Sequence, residues 1–250
     1  MQALQETKAA FDRDGYVLLK GFFSGQEIAE LNQRIDHYIA TILPKLPTDA
    51  AFYEIKDQPE SIMRLQGMDQ HDPFFKALYA DPRCIQLAET LLEDDVRSKN
   101  LQWFNKPPGL ANQTPPHQDG YYFMIEPNVA VTLWISQDHA NQSNGCVRYI
   151  PGSHRRGMRP HQSSNVLGFS QGIVNFGAAD QRIERALPTE PGDVIAHHSL
   201  TIHRADANPS PNRRRALGLV YFANSAQEDQ GKAEAYRKTL NEEWIKKGRL

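Results

Sequence analysis

Residues 129–150 read VAVTLWISQDHANQSNGCVRYI, and this stretch decides the fold class. It contains two runs rich in β-branched and aromatic residues, Val129–Ser136 and Gly145–Ile150, separated by a polar segment with Asn and Gly. Such runs, bounded by turn-forming residues, predict β-strands. Three further runs have the same character: Leu101–Asn105, Val194–His198 and Leu217–Phe222. Because no helical pattern separates these strands, the sequence predicts an antiparallel β-barrel or sandwich.

Helical patterns flank this β-rich region. Ser24 and Glu27 match a capping box, and apolar residues then follow at helical spacing until Pro44. A shorter helix is predicted from Asp81-Pro82 to Leu92, and a last one from Lys232 to Lys247. We therefore predict a single domain over residues 1–250, made of mainly helical support in 1–95, a barrel core in 99–222 and a C-terminal helix in 232–248.

Composition argues against nucleic-acid and membrane partners. The chain has 28 Lys and Arg against 30 Asp and Glu, a formal net charge of −2, and so has no basic field to attract a polyanion. The longest mainly apolar run, Val129–Ile135, has seven residues, far short of the roughly 20 that span a bilayer.

The expected compartment is the cytoplasm. The amino terminus, MQALQETKAAFDRDG, lacks the apolar stretch of a signal peptide. In a reducing compartment we expect Cys84 and Cys146 to be buried thiols rather than a disulfide.

A metal site is suggested by His117 and Asp119, which lie between Pro115-Pro116 and Gly120. In an extended segment residues i and i+2 point to the same side, so imidazole and carboxylate can converge. His203 is a third candidate ligand, just beyond the predicted strand Val194–His198. Two His and one carboxylate on one face form the triad of non-haem Fe(II) oxygenases. The tripeptide alone is a weak signal and is more typical of a hydrogen-bonded surface pair.

A run of three arginines, Arg213 to Arg215, follows His203 and precedes the apolar strand 216–222. An arginine held at the start of a buried strand suits a bidentate grip on a small dicarboxylate. The alternative is a solvated basic patch, which we expect for Arg213.

The chain resembles the phytanoyl-CoA dioxygenase family of Fe(II)/2-oxoglutarate-dependent oxygenases. The resemblance begins with FDRDGYVLLKGFFSGQEIAEL at 11–31, a helix, strand, helix opening, and continues with QWFNKPPG at 102–109 and PPHQDGYYF at 115–123. It extends through VTLWISQDHANQSNGCVRYIPGSHRRG at 131–157 and EPGDVIAHHSLTIHRADANPSPNRRRALGLVYF at 190–222. The resemblance implies a mainly β fold with flanking helices, a double-stranded β-helix (jelly-roll, cupin-like) barrel.

Roles for individual residues follow from the resemblance. It implies that His117, Asp119 and His203 are the iron ligands and that Arg214 grips the far carboxylate of 2-oxoglutarate, with Arg215 as the less favoured choice. It places three further residues in the cosubstrate pocket: Gln102, Thr132 and Trp134. The implied cofactors are Fe(II), 2-oxoglutarate as cosubstrate, and O₂. Ala205 departs from the family, since many members carry Ser two residues after the distal histidine. Members that halogenate lack the carboxylate ligand, so the presence of Asp119 favours hydroxylation.

The substrate-facing residues are predicted less directly. Asn105 lies on the strand leading toward His117, one of Tyr121 and Tyr122 is expected to face the pocket, and Arg64 is a candidate for a substrate or cosubstrate carboxylate. Of the other polar residues, His197 or His198 is expected to pack inward, His154 to be structural, His139 and His161 to lie in loops, and Arg148 to face either the barrel or solvent.

We predict a dioxygenase that hydroxylates a small polar metabolite of the amino acid or aminophosphonate type. Three alternatives stay open: an acyl-CoA hydroxylase of the same family, a metal-dependent hydrolase that uses the same ligands, and a non-catalytic cupin-like binding protein. The dicarboxylate grip of Arg214 argues against the hydrolase, and an intact triad argues against the binding protein.

Overall fold

The computed structural model describes residues 2–55, 57–109, 112–166 and 169–229, with the single positions 231, 234 and 238. The predicted C-terminal helix, 232–248, lies outside the described residues apart from two positions. The strands are β1 Tyr16–Leu19, β2 Ala51–Tyr53, β3 Ile62–Gln66, β4 Val96–Lys106, β5 Thr114–His117, β6 Ile125–Glu126, β7 Ala130–Ser136, β8 Val147–Tyr149, β9 His161–Val166, β10 Phe169–Ile173, β11 Arg185–Ala186, β12 Val194–His198, β13 His203–Ala205, β14 Arg214–Ala223 and β15 Gln227–Glu228. The α-helices are α1 Gln2–Asp14, α2 Gly25–His37, α3 Met68–His71, α4 Pro73–Tyr79, α5 Pro82–Leu92, α6 Gly120–Phe123 and α7 Ala178–Ile183.

Two antiparallel sheets form the walls of the barrel. The larger sheet has seven strands in the order β1-β12-β7-β14-β4-β3-β2, and the smaller has four in the order β11-β8-β13-β5. Strands β2, β3 and β4 are consecutive in sequence, whereas the neighbours β12, β7 and β14 are distant in sequence, because the chain crosses to the smaller sheet between them. This is the predicted double-stranded β-helix with flanking helices, and the fold class is confirmed.

The larger sheet presents one face to the helices and the other to the barrel interior. Along β4, Leu101 and Trp103 are buried against the helices, while Gln102 and Phe104 line the interior cavity. The same alternation on β7 and β14 buries a set of large apolar side chains under the helices: Leu133, Ile135, Leu217, Leu219 and Tyr221. Burying each such side chain contributes about 1.5–3 kcal/mol, so this face anchors the sheet.

Helix α2 follows the predicted cap. Ser24 accepts a hydrogen bond from the Glu27 backbone N–H, and the Glu27 carboxylate accepts one from the Ser24 N–H. Ile28, Leu31 and Ile35 are buried by this helix. Beyond His37 the chain continues as a π turn and then a 3-10 turn that ends at Lys45. Regular α-helix thus ends at His37, seven residues earlier than predicted, and Pro44 lies in the first turn of the 3-10 segment, where its missing N–H is tolerated.

The first 95 residues are helical for the most part, but they also contribute three strands to the larger sheet. The family opening implies β1, which pairs with β12. The sequence patterns do not predict β2 and β3. In β3, Arg64 and Gln66 interrupt the apolar character because they line the cavity, so the strand carries too few apolar residues to be recognised by composition.

Both cysteines are free and buried. Over the described ranges of the chain, no helix is long and apolar enough to cross a bilayer.

Candidate active site

His117 and His203 face each other across the β5–β13 ladder of the smaller sheet. They are directly opposite in register, and their ring centroids are 4.2 Å apart. Directly opposite residues project to the same face of a sheet. The pairing of two short strands thus brings together two histidines that are far apart in sequence.

Backbone carbonyls determine which ring nitrogen of each histidine carries hydrogen. Nδ1 of His117 lies 2.8 Å from the Pro115 oxygen, and Nδ1 of His203 lies 3.0 Å from the Thr201 oxygen. A carbonyl oxygen can only accept, so both Nδ1 atoms donate and the lone pair of each ring is on Nε2. Burial and the neighbouring His117 lower the pKa of His203 to about 3, which keeps this ring neutral and able to bind a metal.

The two carboxylate oxygens of Asp119 have different neighbours. Oδ1 lies 3.5 Å from Nε2 of His117 and 3.6 Å from Nε2 of His203. Oδ2 accepts a hydrogen bond from Oγ1 of Thr132 at 2.9 Å and lies 3.1 Å from Nε2 of His197. Burial disfavours the charged carboxylate, but the imidazoles around it, with His203 foremost, outweigh this effect and hold the pKa of Asp119 well below its usual value.

His197 is positioned by Tyr149. The Tyr149 hydroxyl lies 3.1 Å from Nδ1 of His197, and both side chains are buried. When the hydroxyl donates to Nδ1, the hydrogen of His197 must be on Nε2, where it is donated to Asp119. His197 is thus the inward member of the His197-His198 pair. The chain Tyr149, His197, Asp119 orients the carboxylate so that Oδ1 is directed toward the two other imidazoles.

Gly120 is needed where the chain turns from β5 into α6. A Cβ at this position would lie 2.2 Å from Oδ1 of Asn128. The backbone here is held by two hydrogen bonds, from the Gly120 N–H to the Ser199 oxygen and from Nδ2 of Asn128 to the Gly120 oxygen. Because Asp119 immediately precedes Gly120, the close packing of Gly120 against Asn128 helps to fix the position of the Asp119 carboxylate.

The donor set fits a divalent iron. One ligand atom from each of His117, Asp119 and His203 lies within 4.8 Å of the others. Two neutral imidazole nitrogens and one carboxylate oxygen on a single face are the donor set of non-haem Fe(II) oxygenases, and this face leaves positions open toward the cavity.

Arg214 lies in the same cavity as the triad. The side chain is 4% exposed, and its Cζ atom is 5.5 Å from the centroid of the Trp134 ring. Within the described part of the chain, Nε and Nη1 have no hydrogen-bond partner. Burial lowers the pKa of Arg214 to about 10, so it remains charged at neutral pH. Buried donors without partners are costly, and a carboxylate that meets both would satisfy them, so the site also fits 2-oxoglutarate.

The other two arginines of the run do not line the cavity. Arg213 is exposed. The guanidinium of Arg215 donates to both carboxylate oxygens of Asp138, through Nε at 2.9 Å and Nη2 at 2.8 Å. Of the three, only the guanidinium of Arg214 is directed into the cavity.

A cavity of about 820 Å³ contains the triad and most of the predicted site residues. The predicted residues that line it are Arg64, Gln102, Asn105, His117, Asp119, Tyr122, Thr132, Trp134, His203 and Arg214. Tyr121 is not among the described lining residues. Its ring stacks on His161 with centroids 4.4 Å apart, so Tyr122 is the aromatic residue of this pair that faces the cavity.

The candidate substrate residues have distinct environments. Nδ2 of Asn105 donates to the Ile62 oxygen at 2.8 Å, and its buried Oδ1 has no partner among the described residues. Arg64 lies between two rings, with its Cζ atom 5.5 Å from the Phe52 centroid and 5.6 Å from that of Phe104. Burial lowers its pKa to about 10. The Tyr122 hydroxyl donates to the Gln171 oxygen at 3.0 Å.

The remaining polar residues considered from the sequence lie outside the cavity lining. His139 is paired with Glu190 at the surface, and Nε2 of His154 lies 3.2 Å from the Asp12 oxygen. Nε2 of His161 accepts from the Gln118 N–H. Arg148 binds Asp206 through Nε. These four side chains are therefore not candidates for metal ligands beside the triad.

Sequence reasoning missed Tyr149 and Lys106, both of which line the cavity. Tyr149 lies opposite His203 in the β8–β13 register, and Lys106 lies opposite Arg214 in the β4–β14 register. The only available signal was alternation along two predicted strands, which does not reveal which strands are neighbours.

The fold and the site together define the chain as an Fe(II)- and 2-oxoglutarate-dependent oxygenase. A model of the phytanoyl-CoA dioxygenase family (PhyH) matches residues 11–216, and the chain belongs to this family. Peroxisomal phytanoyl-CoA dioxygenase from Rattus norvegicus is 24% identical over 236 residues, which cover 89% of this chain and 69% of the rat protein. Phytanoyl-CoA dioxygenase from Arabidopsis thaliana is 26% identical over 243 residues, covering 84% of this chain and 85% of that protein.

Solved structures show the same architecture. EctD from S. alaskensis, in complex with 2-oxoglutarate and 5-hydroxyectoine, superposes with a TM-score of 0.72 at 25% identity, covering 88% of this chain and 76% of that chain. The epimerase SnoN in complex with Fe³⁺, alpha-ketoglutarate and nogalamycin RO gives a TM-score of 0.73 at 22% identity, covering 91% of this chain and 86% of that chain. The protein is an enzyme, a dioxygenase whose cofactors are Fe(II), 2-oxoglutarate and O₂.

Proposed function

We propose that this enzyme hydroxylates a small polar metabolite of the amino acid or aminophosphonate type, with release of succinate and CO₂. In this proposal His117, Asp119 and His203 hold the iron, and Arg214 grips the distal carboxylate of 2-oxoglutarate. When bound, iron and cosubstrate supply the oxidative chemistry that converts a C–H bond of the substrate into C–OH at the expense of O₂.

The contribution of the protein to that chemistry is positioning and exclusion of water. Thr132 and His197 hold one oxygen of Asp119, which leaves the other available as a ligand. Trp134 covers the Arg214 guanidinium. A charge-assisted, two-pronged pair is strengthened by such partial desolvation. Gln102 and Thr132 also line this part of the cavity and are proposed to contact the cosubstrate.

The polar character of the cavity wall beside the triad supports a small polar substrate. Strands β3 and β4 present Arg64, Gln66, Gln102 and Asn105 to the cavity. The Asn105 Oδ1 atom can accept from an ammonium group, and Arg64 can meet a carboxylate or phosphonate. An apolar chain in this place would leave the buried Asn105 Oδ1 without a partner among the described residues, which is unfavourable.

Similarity to EctD adds support of a different kind. EctD, a relative of the same fold, has been solved with 5-hydroxyectoine, a small polar molecule. The second candidate is an acyl-CoA substrate, because the curated relatives carry the name phytanoyl-CoA dioxygenase. The polar wall of β3 and β4 favours the first candidate.

Two experiments test the proposal in order. Anaerobic titration of the Fe(II) protein with 2-oxoglutarate should produce a weak visible charge-transfer band, and its absence would reject the cosubstrate site. Succinate release should then be measured with amino acids, aminophosphonates and acyl-CoA esters. We expect stimulation by a zwitterionic compound, and Asn105→Leu should abolish that stimulation while leaving the charge-transfer band intact. Stimulation by acyl-CoA esters alone would overturn the substrate proposal.

A further inference from the structure

Lys106 and Arg214 are two buried cations that face each other across the β4–β14 ladder. They are directly opposite in register, so their side chains project from the same face of the sheet. Lys106 is 6% exposed and Arg214 is 4% exposed, and both line the cavity that holds the triad. Two like charges at opposite positions of a ladder destabilise each other. The arrangement therefore favours an anion between them.

The carboxylates around Lys106 are already engaged with other groups. Glu54, which follows β2, accepts hydrogen bonds from the backbone N–H and the Nδ2 of Asn112. Asp206, which follows β13, binds Arg148 and Arg204. Within the described ranges neither carboxylate forms an ion pair with Lys106, whose Nζ instead donates to the Asn112 backbone oxygen.

Cys146, the titratable group near Lys106 on the Gly145 side, does not supply a negative charge. Cys146 adjoins Gly145, whose Cβ position lies 3.1 Å from Cδ of Lys106. Burial raises the pKa of the Cys146 thiol, so the thiol stays neutral near pH 7. Among the described residues, Glu54, Asp206 and Cys146 thus provide no dedicated counter-ion for the Lys106–Arg214 pair.

We propose that Lys106 is a second cation of the cosubstrate site and binds, together with Arg214, the distal carboxylate of 2-oxoglutarate. The inference rests on the proposed role of Arg214. The two side chains approach the carboxylate from adjacent strands. Arg214 donates through Nε and Nη1, which have no partner among the described residues. Lys106 donates through Nζ, which leaves the neutral Asn112 carbonyl oxygen and binds the charged carboxylate instead. Charge-assisted hydrogen bonds are roughly twice as strong as neutral ones, which favours this exchange.

The arrangement couples cosubstrate binding to a proton. Burial and the charge of Arg214 lower the pKa of Lys106 to about 7 in the free protein, and a bound carboxylate raises it again. Below pH 7 the ammonium is already present and binding is strongest. Above pH 7 the free protein must take up a proton, so affinity falls as pH rises, by at most about tenfold per unit.

The test is the affinity of the anaerobic Fe(II) protein for 2-oxoglutarate between pH 6 and pH 9, in wild type and Lys106→Met. We expect the variant to bind roughly tenfold more weakly at pH 6.5, to show a flatter pH profile, and to bind Fe(II) as wild type does. Calorimetry in buffers of different ionisation enthalpy should detect proton uptake in wild type only. Lys99→Met is the matched control, because Lys99 lies on the same strand and is paired with Glu228.

A second ligand and a second variant keep the proposal testable. 2-Oxobutyrate lacks the distal carboxylate, so wild type and Lys106→Met should bind it equally. Lys106→Arg stays charged from pH 6 to pH 9, so it should retain its affinity for 2-oxoglutarate at pH 9. This variant replaces Lys106→Met in the test if Lys106→Met fails to fold. Equal pH profiles for 2-oxoglutarate in wild type, Lys106→Met and Lys106→Arg would overturn the proposal. If Arg214→Ala also has no effect, or wild type shows no charge-transfer band, the proposed cosubstrate site itself is wrong.

Discussion

Thr132 donates a hydrogen bond from Oγ1 to Oδ2 of Asp119 over 2.9 Å. Thr132 lies opposite His197 in the β7–β12 register, and His197 contacts the same oxygen. Two neighbouring strands of the larger sheet thus hold the carboxylate of Asp119, which follows β5 of the smaller sheet. Because Oδ2 is held by Thr132 and His197, Oδ1 is the oxygen of Asp119 that faces His117 and His203.

We expect Thr132→Val to weaken iron binding. Valine matches the shape of threonine but cannot donate, so Asp119 loses one of two contacts that orient it. Loss of a hydrogen bond that orients a metal ligand typically costs about 10–100-fold in metal affinity. Fe(II) affinity measured anaerobically checks this, and Thr132→Ser should restore most of it. An unchanged affinity in Thr132→Val would show that His197 alone suffices.

Removal of any one triad residue should abolish iron-dependent succinate formation. We expect this for His117→Ala, Asp119→Ala and His203→Ala, each with a fold that is largely intact, because the apolar core lies on the opposite face of the larger sheet. Succinate release and circular dichroism provide the measurements. The exposed His139, changed to Ala, is the control. Turnover near that of wild type in any triad variant contradicts the metal assignment.

Arg214→Ala should weaken 2-oxoglutarate binding strongly. Truncating one partner of a buried charge pair costs about 2–5 kcal/mol, which corresponds to roughly 30-fold to more than 1,000-fold. Arg213→Ala should change binding little, since exposed ion pairs contribute about 0–1 kcal/mol. Arg214→Lys should recover only part, because an ammonium lacks the planar fork. The readout is the 2-oxoglutarate dependence of succinate release. A severe defect in Arg213→Ala with a mild one in Arg214→Ala would refute the assignment.

Gly120→Ala should disturb both the turn and the metal site. The added Cβ would overlap Oδ1 of Asn128, and relieving such a clash typically costs about 1–3 kcal/mol. Asn128→Ala in the same chain removes the clashing atom, so the double variant should be less impaired than the sum of the two single changes. Urea unfolding and Fe(II) affinity of all four proteins form the cycle. Strict additivity would show that the close approach is not the cause.

Acid should destabilise the protein through His198. Burial, with the nearby His154 as the next cause, lowers the pKa of His198 to about 4. The unfolded chain binds a proton near pH 6.5 and the folded chain does not, so stability is complete above pH 6.5 and is lost as pH falls toward 4. The loss is at most about 3 kcal/mol. His198→Gln should reduce the stability difference between pH 7.5 and pH 4.5 in urea unfolding, whereas His139→Gln should not.

Local pattern predicted the central strands of the larger sheet and helices α2 and α5. Val194–His198 agrees with the prediction at both ends, and α5 ends at Leu92 as predicted. The strand predicted over Val129–Ser136 begins one residue later. The strand predicted over Leu101–Asn105 is longer at both ends, spanning Val96–Lys106, because its first half is polar and partly exposed. Strand β3 was missed because Arg64 and Gln66, which line the cavity, break its apolar character, and β2 was missed because it has only three residues.

What the sequence by itself determined is the class of protein. The motifs that contain His117, Asp119, His203 and Arg214, with the short β-type runs around them, predict a barrel with iron and 2-oxoglutarate chemistry, because ligand type and strand propensity are local properties of the chain. Tertiary structure alone decided the pairings. Three features depend on strand register: Arg215 pairs with Asp138 while Nε and Nη1 of Arg214 have no partner among the described residues, Tyr122 rather than Tyr121 faces the cavity, and Lys106 lies opposite Arg214. Register is set by contacts between segments far apart in the chain, and alternation within one strand carries no information about which strand is its neighbour.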